Sequence, residues 1–143
     1  MHDPSCIFCK IVKGDIPSYK IYEDDKFLAF LDIAQFVEGH TLLIPKEHFE
    51  FVWDITYIGE YYKTAKQISD HFRKRLGYKY VDSATFGRDV PHAHLHLIPH
   101  NETGTDWEKA LKEIGNMQKD SSRRINPSEG SILIEKFRLS RIT

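Results

Sequence analysis

The chain has 143 residues, a length typical of one domain that builds its core without disulfides. Twenty Lys and Arg residues against 21 Asp and Glu residues leave a formal net charge of −1, which excludes the basic field of a non-specific nucleic-acid binder. No run of about 18 apolar residues could span a membrane, and the first residues lack a secretion-signal pattern. We therefore expect a cytoplasmic protein with neither nucleic acid nor membrane as its partner.

The predicted elements begin with a short helix and three strands. Four apolar residues between positions 7 and 12 recur at helical spacing and Gly14 ends the pattern, which predicts a helix over residues 5–13. Aromatic and β-branched residues then predict strands over residues 19–22, 27–32 and 40–45.

A long helix follows the third predicted strand. It is predicted over residues 57–76, where apolar positions keep a 3.6-residue period and Gly77 supplies the stop. Two strands over 78–85 and 93–99 and a helix over 107–117 follow. This order predicts an α+β domain, with its helices on one face of a meander-like antiparallel sheet of five strands.

The C-terminal part is weakly specified. Residues 119–131 are the loosest stretch, with Asn126-Pro127 and Glu129-Gly130 as turn signals. No repeat, low-complexity tract or linker divides the chain. We expect one domain over residues 1–143, with its core at 5–100 and a C-terminal extension at 101–143.

The most informative segment is a run of three histidines that alternate with apolar residues. On an extended strand His92, His94 and His96 project to one side, while the apolar residues between them face the core. Three polar rings on one surface are hard to explain by packing, because each ring needs hydrogen-bond partners. Two functions remain open from these residues alone: a metal cluster, or nucleophilic catalysis by one imidazole that the others hold.

Four segments resemble the histidine-triad (HIT) family, particularly its bacterial members. Residues 92–98 fit the family pattern His-φ-His-φ-His-φ-φ, where φ is apolar, and residues 39–48 resemble the second family block. Residues 6–17 are similar to the start of many bacterial members, and residues 28–33 to their nucleoside-binding strand. The resemblance implies a HIT-like fold, with a five-stranded antiparallel sheet, one long helix and short N- and C-terminal helices.

The resemblance implies a nucleotide hydrolase or nucleotidyl transferase. In this family the middle histidine, matched by His94, attacks the α-phosphorus of a phosphoramidate or dinucleoside polyphosphate and forms a nucleotidyl-histidine intermediate. The attacking imidazole must be neutral, with its other nitrogen held by a hydrogen bond. His96 and His40 match the flanking histidines that bind the phosphate oxygens and support the nucleophile. A purine nucleotide is the implied substrate.

The resemblance also implies a nucleotide pocket. Asp32 corresponds to the ribose-binding carboxylate, with a turn cap as the alternative role. The apolar residues similar to the family's base-binding set, for which core packing is the alternative, are Ile7, Phe8, Ile11, Phe30 and Ile33. The chain departs from better-known members just before the triad, at Arg88 and Asp89. Arg88 could bind a phosphate oxygen, and Asp89 could handle a leaving-group proton.

A second set of residues is of the kind that zinc binds. Cys6 and Cys9, the only cysteines, are spaced Cys-x-x-Cys, which in a reducing compartment suggests metal or redox chemistry. Some relatives hold zinc with two cysteines, a downstream histidine and the first triad histidine, here His48 and His92. This implies a structural Cys2His2 zinc site. A redox pair and two unengaged thiols are the alternatives.

Two other functions compete with the enzyme. The altered residues 87–89 suggest a nucleotide-binding or scaffold protein with little catalysis, and the triad could instead hold a catalytic metal in a metallohydrolase. Relatives pair as two-fold dimers, so we expect a homodimer. Tyr57, Tyr61 and Tyr62 on the long helix, if exposed, are compatible with a self-complementary interface.

Overall fold

A computed structural model of the chain describes residues 2–101 and 103–139. Within these residues the fold is α+β, with five strands and four α-helices, as the sequence predicts for all but the last helix. The elements are α1 (Ile7–Lys13), β1 (Lys20–Glu23), β2 (Phe27–Leu31), β3 (Thr41–Pro45), α2 (Ile58–Lys74), β4 (Tyr80–Ala84), β5 (Leu95–His100), α3 (Asp106–Lys119) and α4 (Pro127–Phe137).

The sheet is antiparallel throughout, with the strand order β1-β2-β3-β5-β4. A meander therefore holds only for the first three strands, because β3 pairs with β5 instead of β4. The chain crosses through α2 to the far edge of the sheet and returns with β5 beside β3. This inserted position places β5, which follows directly after His94, inside the sheet between β3 and β4.

Helices cover both faces of the sheet, so the expectation of a single covered face is wrong. Ala29 and Leu43, paired in register, share a core cluster with residues of α2. Leu28 and Phe30 alternate with Ala29 and share the other cluster with α1. The physical reason lies in β2 and β3, which are continuous apolar runs and are buried on both faces.

The structure also corrects the prediction that three tyrosines of the long helix are exposed. Tyr61 is fully buried, and its hydroxyl donates a 2.6 Å hydrogen bond to the Leu43 carbonyl oxygen. Tyr57 is half-buried and packs against Phe27, whereas Tyr62 is 39% exposed. Tyr61 therefore belongs to the core and is not part of an exposed face. The homodimer stays a prediction without this support.

The chain divides by its internal contacts into two compact units, and the boundary along the chain lies between Trp107 and Glu108. In the second unit, α3 and α4 bury none of their described side chains. The extent of a single domain over residues 1–143, with its core at 5–100, stays a prediction. Among the described helices, none is both long and apolar enough to cross a membrane.

Candidate nucleotide site and metal centre

A cavity of about 580 Å³ opens on the sheet face that α1 covers. Its lining contains every residue that the sequence predicts for nucleotide binding: Ile7, Phe8, Ile11, Phe30, Asp32, Ile33, Arg88 and Asp89. His94 and His96 also line it, while His40 is fully buried and lies 2.8 Å from His96. The structure thus brings three distant parts of the chain to one concave site.

Part of the cavity lining is not predicted from the sequence. The loop before β1 contributes residues 16–19, and Phe36 and Phe86 add aromatic rings near His96. Residues 16 and 17 belong to the first family-like block, and Phe36 and Phe86 lie within four residues of assigned positions. Neither aromatic residue carries a sequence signal of its own, because loop conformation decides which way such rings face.

His94 is held by the backbone of the irregular segment just before β5. Its Nδ1 lies 2.8 Å from the His92 carbonyl oxygen, and since that oxygen only accepts, Nδ1 carries the hydrogen. A neutral ring then has its lone pair on Nε2. The Phe8 ring contacts the imidazole edge to face at 5.3 Å, and the ring is 8% exposed. The residue therefore presents a nitrogen with nucleophilic character beside the cavity.

His40 and His96 form a directional hydrogen-bonded pair. The backbone N–H of Phe36 donates to His40 Nδ1 at 3.2 Å, so the His40 hydrogen is on Nε2. His40 Nε2 lies 2.8 Å from His96 Nδ1 and donates to it, which leaves the His96 hydrogen on Nε2. His96 can therefore offer an N–H to an anionic group in the cavity.

Burial keeps this pair neutral. Burial, together with the neighbouring His40 and His94, lowers the pKa of His96 to about 4, against the opposing effect of Asp32. Burial also lowers the pKa of His40, although Asp32 and a backbone hydrogen bond raise it in part. Near neutral pH the two rings therefore act as N–H donors and acceptors and not as cations.

Asp32 has a structural contact and remains open to the cavity. Its Oδ1 accepts a 2.9 Å hydrogen bond from the Ala34 N–H, which is the turn cap expected as the alternative role. Its Oδ2 lies 3.7 Å from His40 Nε2, and the side chain is 20% exposed. A carboxylate has lone pairs for both tasks, so capping and binding of a sugar hydroxyl are compatible.

The apolar residues predicted for base binding divide into two groups. Phe8, Ile11 and Phe30 are buried members of the core cluster under α1, so they pack the core and also line the cavity. Ile7 is 47% exposed and Ile33 is 89% exposed, yet both line the cavity. Core packing does not account for these two, which form an apolar mouth.

Arg88 and Asp89 lie exposed on the loop between β4 and the triad. Gly87 enters this loop at a φ of +66°, and a Cβ there would lie 3.0 Å from the Phe51 ring. Glycine is required for both reasons, since side chains disfavour this φ and the ring occupies the space. The tight turn thereby directs the next two residues to the cavity.

The structure brings the four predicted metal ligands together. The ligand atoms of Cys6, Cys9, His48 and His92 lie within 4.8 Å of one another. His92 Nδ1 lies 3.4 Å from Cys6 Sγ, 3.5 Å from Cys9 Sγ and 3.2 Å from His48 Nδ1. Zinc bonded tetrahedrally to sulfur and nitrogen would space such atoms by about 3.3–3.8 Å. The set therefore has the size and chemistry of a closed zinc site.

The orientation of His92 supports metal binding. Its Nε2 lies 2.8 Å from the Pro45 carbonyl oxygen and donates to it, which leaves a lone pair on Nδ1 facing the cysteines. Burial lowers the pKa of His92 to about 4, so the ring is neutral, as a metal ligand must be. The same residue supplies the carbonyl oxygen that holds His94.

The chain matches known proteins over most of its length. A family model described as HIT domain matches residues 13–103. The protein named Protein hit from Bacillus subtilis is 44% identical over 116 residues, covering 76% of this chain and 79% of that protein. Adenosine 5'-monophosphoramidase HNT1 from Saccharomyces cerevisiae is 32% identical over 139 residues, covering 89% of this chain and 87% of that protein.

A solved structure agrees with these matches. The crystal structure of a Zn-bound histidine triad family protein from Mycobacterium smegmatis superimposes with a TM-score of 0.60 at 38% identity. The superposition covers 67% of this chain and 75% of that one. Sequence family, relatives and fold agree, and the chain belongs to the HIT-domain family.

Proposed function

We propose that this protein is a nucleotide hydrolase or nucleotidyl transferase that cleaves substituted nucleoside monophosphates at the α-phosphorus. One observation carries the proposal: His94 lines the cavity with its Nδ1 engaged by the His92 carbonyl oxygen, beside the N–H donor of His96. The yeast relative named adenosine 5'-monophosphoramidase supports a phosphoramidate of a purine nucleoside as substrate. The proposed partner is therefore a purine nucleotide.

The first step of the proposed reaction forms a bond between His94 Nε2 and phosphorus. The lone pair of Nε2 attacks the α-phosphorus, and the bond from phosphorus to the leaving nitrogen or oxygen breaks with its electron pair. The leaving group takes up a proton from water, which Asp89 could relay at the mouth of the cavity. His96 donates its Nε2–H to a non-bridging oxygen, where charge develops.

The second step releases the nucleotide. Water, or another acceptor hydroxyl in a transferase, attacks the same phosphorus atom and loses a proton to solvent. The P–Nε2 bond breaks, and its electron pair returns to His94, which restores the neutral ring. Asp32 would hold the ribose hydroxyls, and Phe30 and Ile33 would contact the base, during both steps. Arg88 would bind a phosphate oxygen with its planar guanidinium group.

We also propose that Cys6, Cys9, His48 and His92 bind one structural zinc ion. All four ligands come from the protein, which closes the site to substrate, so the ion would supply folding energy and not a catalytic water. The zinc-bound Mycobacterium smegmatis relative supports this assignment. The zinc would fix the His92 backbone, and through it the Nδ1 hydrogen bond of His94.

The test of the proposed enzyme uses adenosine 5'-phosphoramidate. The unmodified protein should release AMP, and His94→Ala should abolish release while AMP binding persists. The control is His71→Ala, which removes an exposed histidine of α2 and should leave turnover unchanged. Rapid quenching without acid, followed by intact-protein mass measurement, should show one nucleotidyl group on the unmodified protein. Full turnover in His94→Ala would refute the mechanism.

The same experiment distinguishes a second candidate, a nucleotide-binding protein with little catalysis. The residues Arg88 and Asp89, which differ from those of better-known members, favour this candidate. It predicts AMP binding by the unmodified protein, without turnover and without a covalent adduct.

A further inference from the structure

Three side chains outside the cavity lining form a hydrogen-bonded cluster that contacts the His40–His96 pair through Phe36. Asp82 Oδ2 accepts a 2.6 Å hydrogen bond from His100 Nε2 and a 2.8 Å hydrogen bond from the Trp107 indole N–H. Asp82 is in β4 and His100 ends β5, on the same face of the sheet as His96. Trp107 is the second residue of α3. One carboxylate oxygen from the middle of β4 therefore contacts the end of β5 and the start of α3.

The indole of Trp107 continues this contact to the catalytic pair through Phe36. The two rings stack with centroids 5.4 Å apart and planes 4° apart. Phe36 in turn stacks on His40 at 4.4 Å and on His96 at 5.9 Å. Its backbone N–H also donates to His40 Nδ1, so Phe36 contacts His40 through both its ring and its backbone.

His100 helps to fix the orientation of the Asp82 carboxylate. The ring is 4% exposed, and within the described residues its Nδ1 is buried without a hydrogen-bond partner. Nε2 therefore carries the hydrogen that binds Asp82, since the other neutral tautomer would bury an unpaired donor and place a lone pair against the carboxylate. Hydrogen bonds to a carboxylate are stronger than those between neutral groups, so Asp82 Oδ2 can hold the Trp107 indole in place.

We propose that Asp82, His100 and Trp107 are positioning residues for the reaction, because they hold Phe36 against His40 and so keep the His40–His96 hydrogen bond aligned. This inference rests on the proposed function. None of the three lines the cavity, so they act on His40 and His96 through Phe36. A misplacement of about 1 Å in such a site can lower a rate on the order of 100-fold.

A second contact limits the expected effect. Gln35 donates to the carbonyl oxygens of Asp32 and His40 and so ties the same loop independently of Trp107. Loss of Trp107 would therefore loosen the Phe36 ring without releasing the whole loop. We expect a reduction in kcat on the order of tenfold, and not a complete loss.

The test compares two substitutions at Trp107 in the full chain. Trp107→Phe keeps a ring that can stack on Phe36 but loses the N–H, whereas Trp107→Ala loses both. With adenosine 5'-phosphoramidate, kcat should fall about tenfold in Trp107→Ala and less in Trp107→Phe, while the Kd for AMP changes by less than about twofold. Trp53→Ala removes a tryptophan that is 74% exposed and should leave kcat unchanged.

Two further measurements separate positioning from general stability. Asp82→Asn should lower kcat in the unmodified background and have little further effect in Trp107→Ala, because Asp82 acts through Trp107. In Trp107→Ala, water admitted beside His96 should move the acid limb of the kcat profile to higher pH, while His40, His94 and Asp32 still face the ring. A purely structural role would lower only the melting temperature.

The outcomes are distinct. Wild-type kcat and an unchanged pH profile in folded Trp107→Ala would overturn the inference alone. If Trp107→Ala does not fold, the same result in Trp107→Phe and Asp82→Asn overturns it. No turnover by the unmodified protein would overturn both the inference and the proposed function.

Discussion

The His92 carbonyl oxygen accepts a hydrogen bond from His94 Nδ1 at 2.8 Å, while the His92 ring faces Cys6 and Cys9. His92 thus takes part in two sites. Its carbonyl group holds His94 beside the cavity, and its ring belongs to the cluster with the two cysteines. A change that shifts the His92 backbone would therefore also disturb the orientation of His94. The four candidate metal ligands and the cavity are therefore linked through the carbonyl group of His92.

Loss of a metal ligand is expected to lower activity through this link. His48→Ala removes one ligand, so zinc content should fall from about one ion per chain to a small fraction of that, as measured by elemental analysis. Turnover of the phosphoramidate should fall by about 10–100-fold, the range seen when the surroundings of a bound metal are altered.

Chelation provides an independent control for this prediction. A strong chelator should inactivate the unmodified protein slowly, and added zinc should restore its activity. His71→Ala, outside the metal centre, should keep both zinc and activity. Zinc-free protein with full activity would contradict the structural role of the metal.

Acid is expected to destabilise the fold through His96. Its pKa is lowered from an ordinary 6.5 to about 4 by burial, so the unfolded chain binds a proton more readily between these values. The stability that His96 contributes by remaining neutral is present above pH 6.5. It is lost as the pH falls to about 4, by up to about 3 kcal/mol.

Urea unfolding at pH 7 and pH 5, for the unmodified protein and for His96→Gln, measures this effect. Glutamine does not titrate, so the variant should lose less stability between the two pH values. The difference between the proteins isolates the contribution of His96 from those of His40 and His92, whose pKa values burial also lowers. An equal loss in both proteins would show that His96 is not responsible.

The hydroxyl of Tyr61 should stabilise the core without affecting catalysis. Tyr61→Phe leaves the buried Leu43 carbonyl oxygen without its 2.6 Å donor, which should cost about 1–2 kcal/mol of unfolding free energy. Tyr62→Phe removes a hydroxyl from a side chain that is 39% exposed and should change stability by less than about 0.5 kcal/mol. Urea unfolding measures both variants, and kcat should be unchanged in each. Equal stabilities would contradict this prediction.

The sequence predicts those parts of the fold that depend on local pattern. Period-2 and period-3.6 apolar spacing predicts the sheet and α2, because each residue's burial follows from its neighbours along the chain. The last helix was missed because Asn126-Pro127 is also a turn signal. In the structure Asn126 is the N-cap, Pro127 occupies the first turn, and Glu129 completes a capping box, a pattern that also begins helices.

Contacts between distant segments could not be predicted in the same way. Alternation places His92, His94 and His96 on one side, but β5 begins only at Leu95, and the irregular backbone before it lets His92 face the cysteines. The contact of Trp107 with Phe36 joins residues 71 positions apart and depends on packing of elements that no local pattern specifies. Only the family resemblance indicated His48 as a candidate metal ligand, because its spacing from the cysteines gives no such signal.

The tight turn at Gly87 should be needed for both stability and substrate binding. Gly87→Ala places a side chain at a φ of +66°, which costs about 1–2 kcal/mol, and its Cβ would meet the Phe51 ring at 3.0 Å. Because the turn directs Arg88 to the cavity, we also expect a severalfold rise in KM for the phosphoramidate.

Gly59→Ala is the matched control, since Gly59 lies in α2 and a Cβ added there meets no atom within 4 Å. That variant should be as stable as the unmodified protein, or more stable by up to about 1 kcal/mol, with unchanged KM. Equal melting temperatures and KM values for the two variants would show that the turn does not hold Arg88 in place.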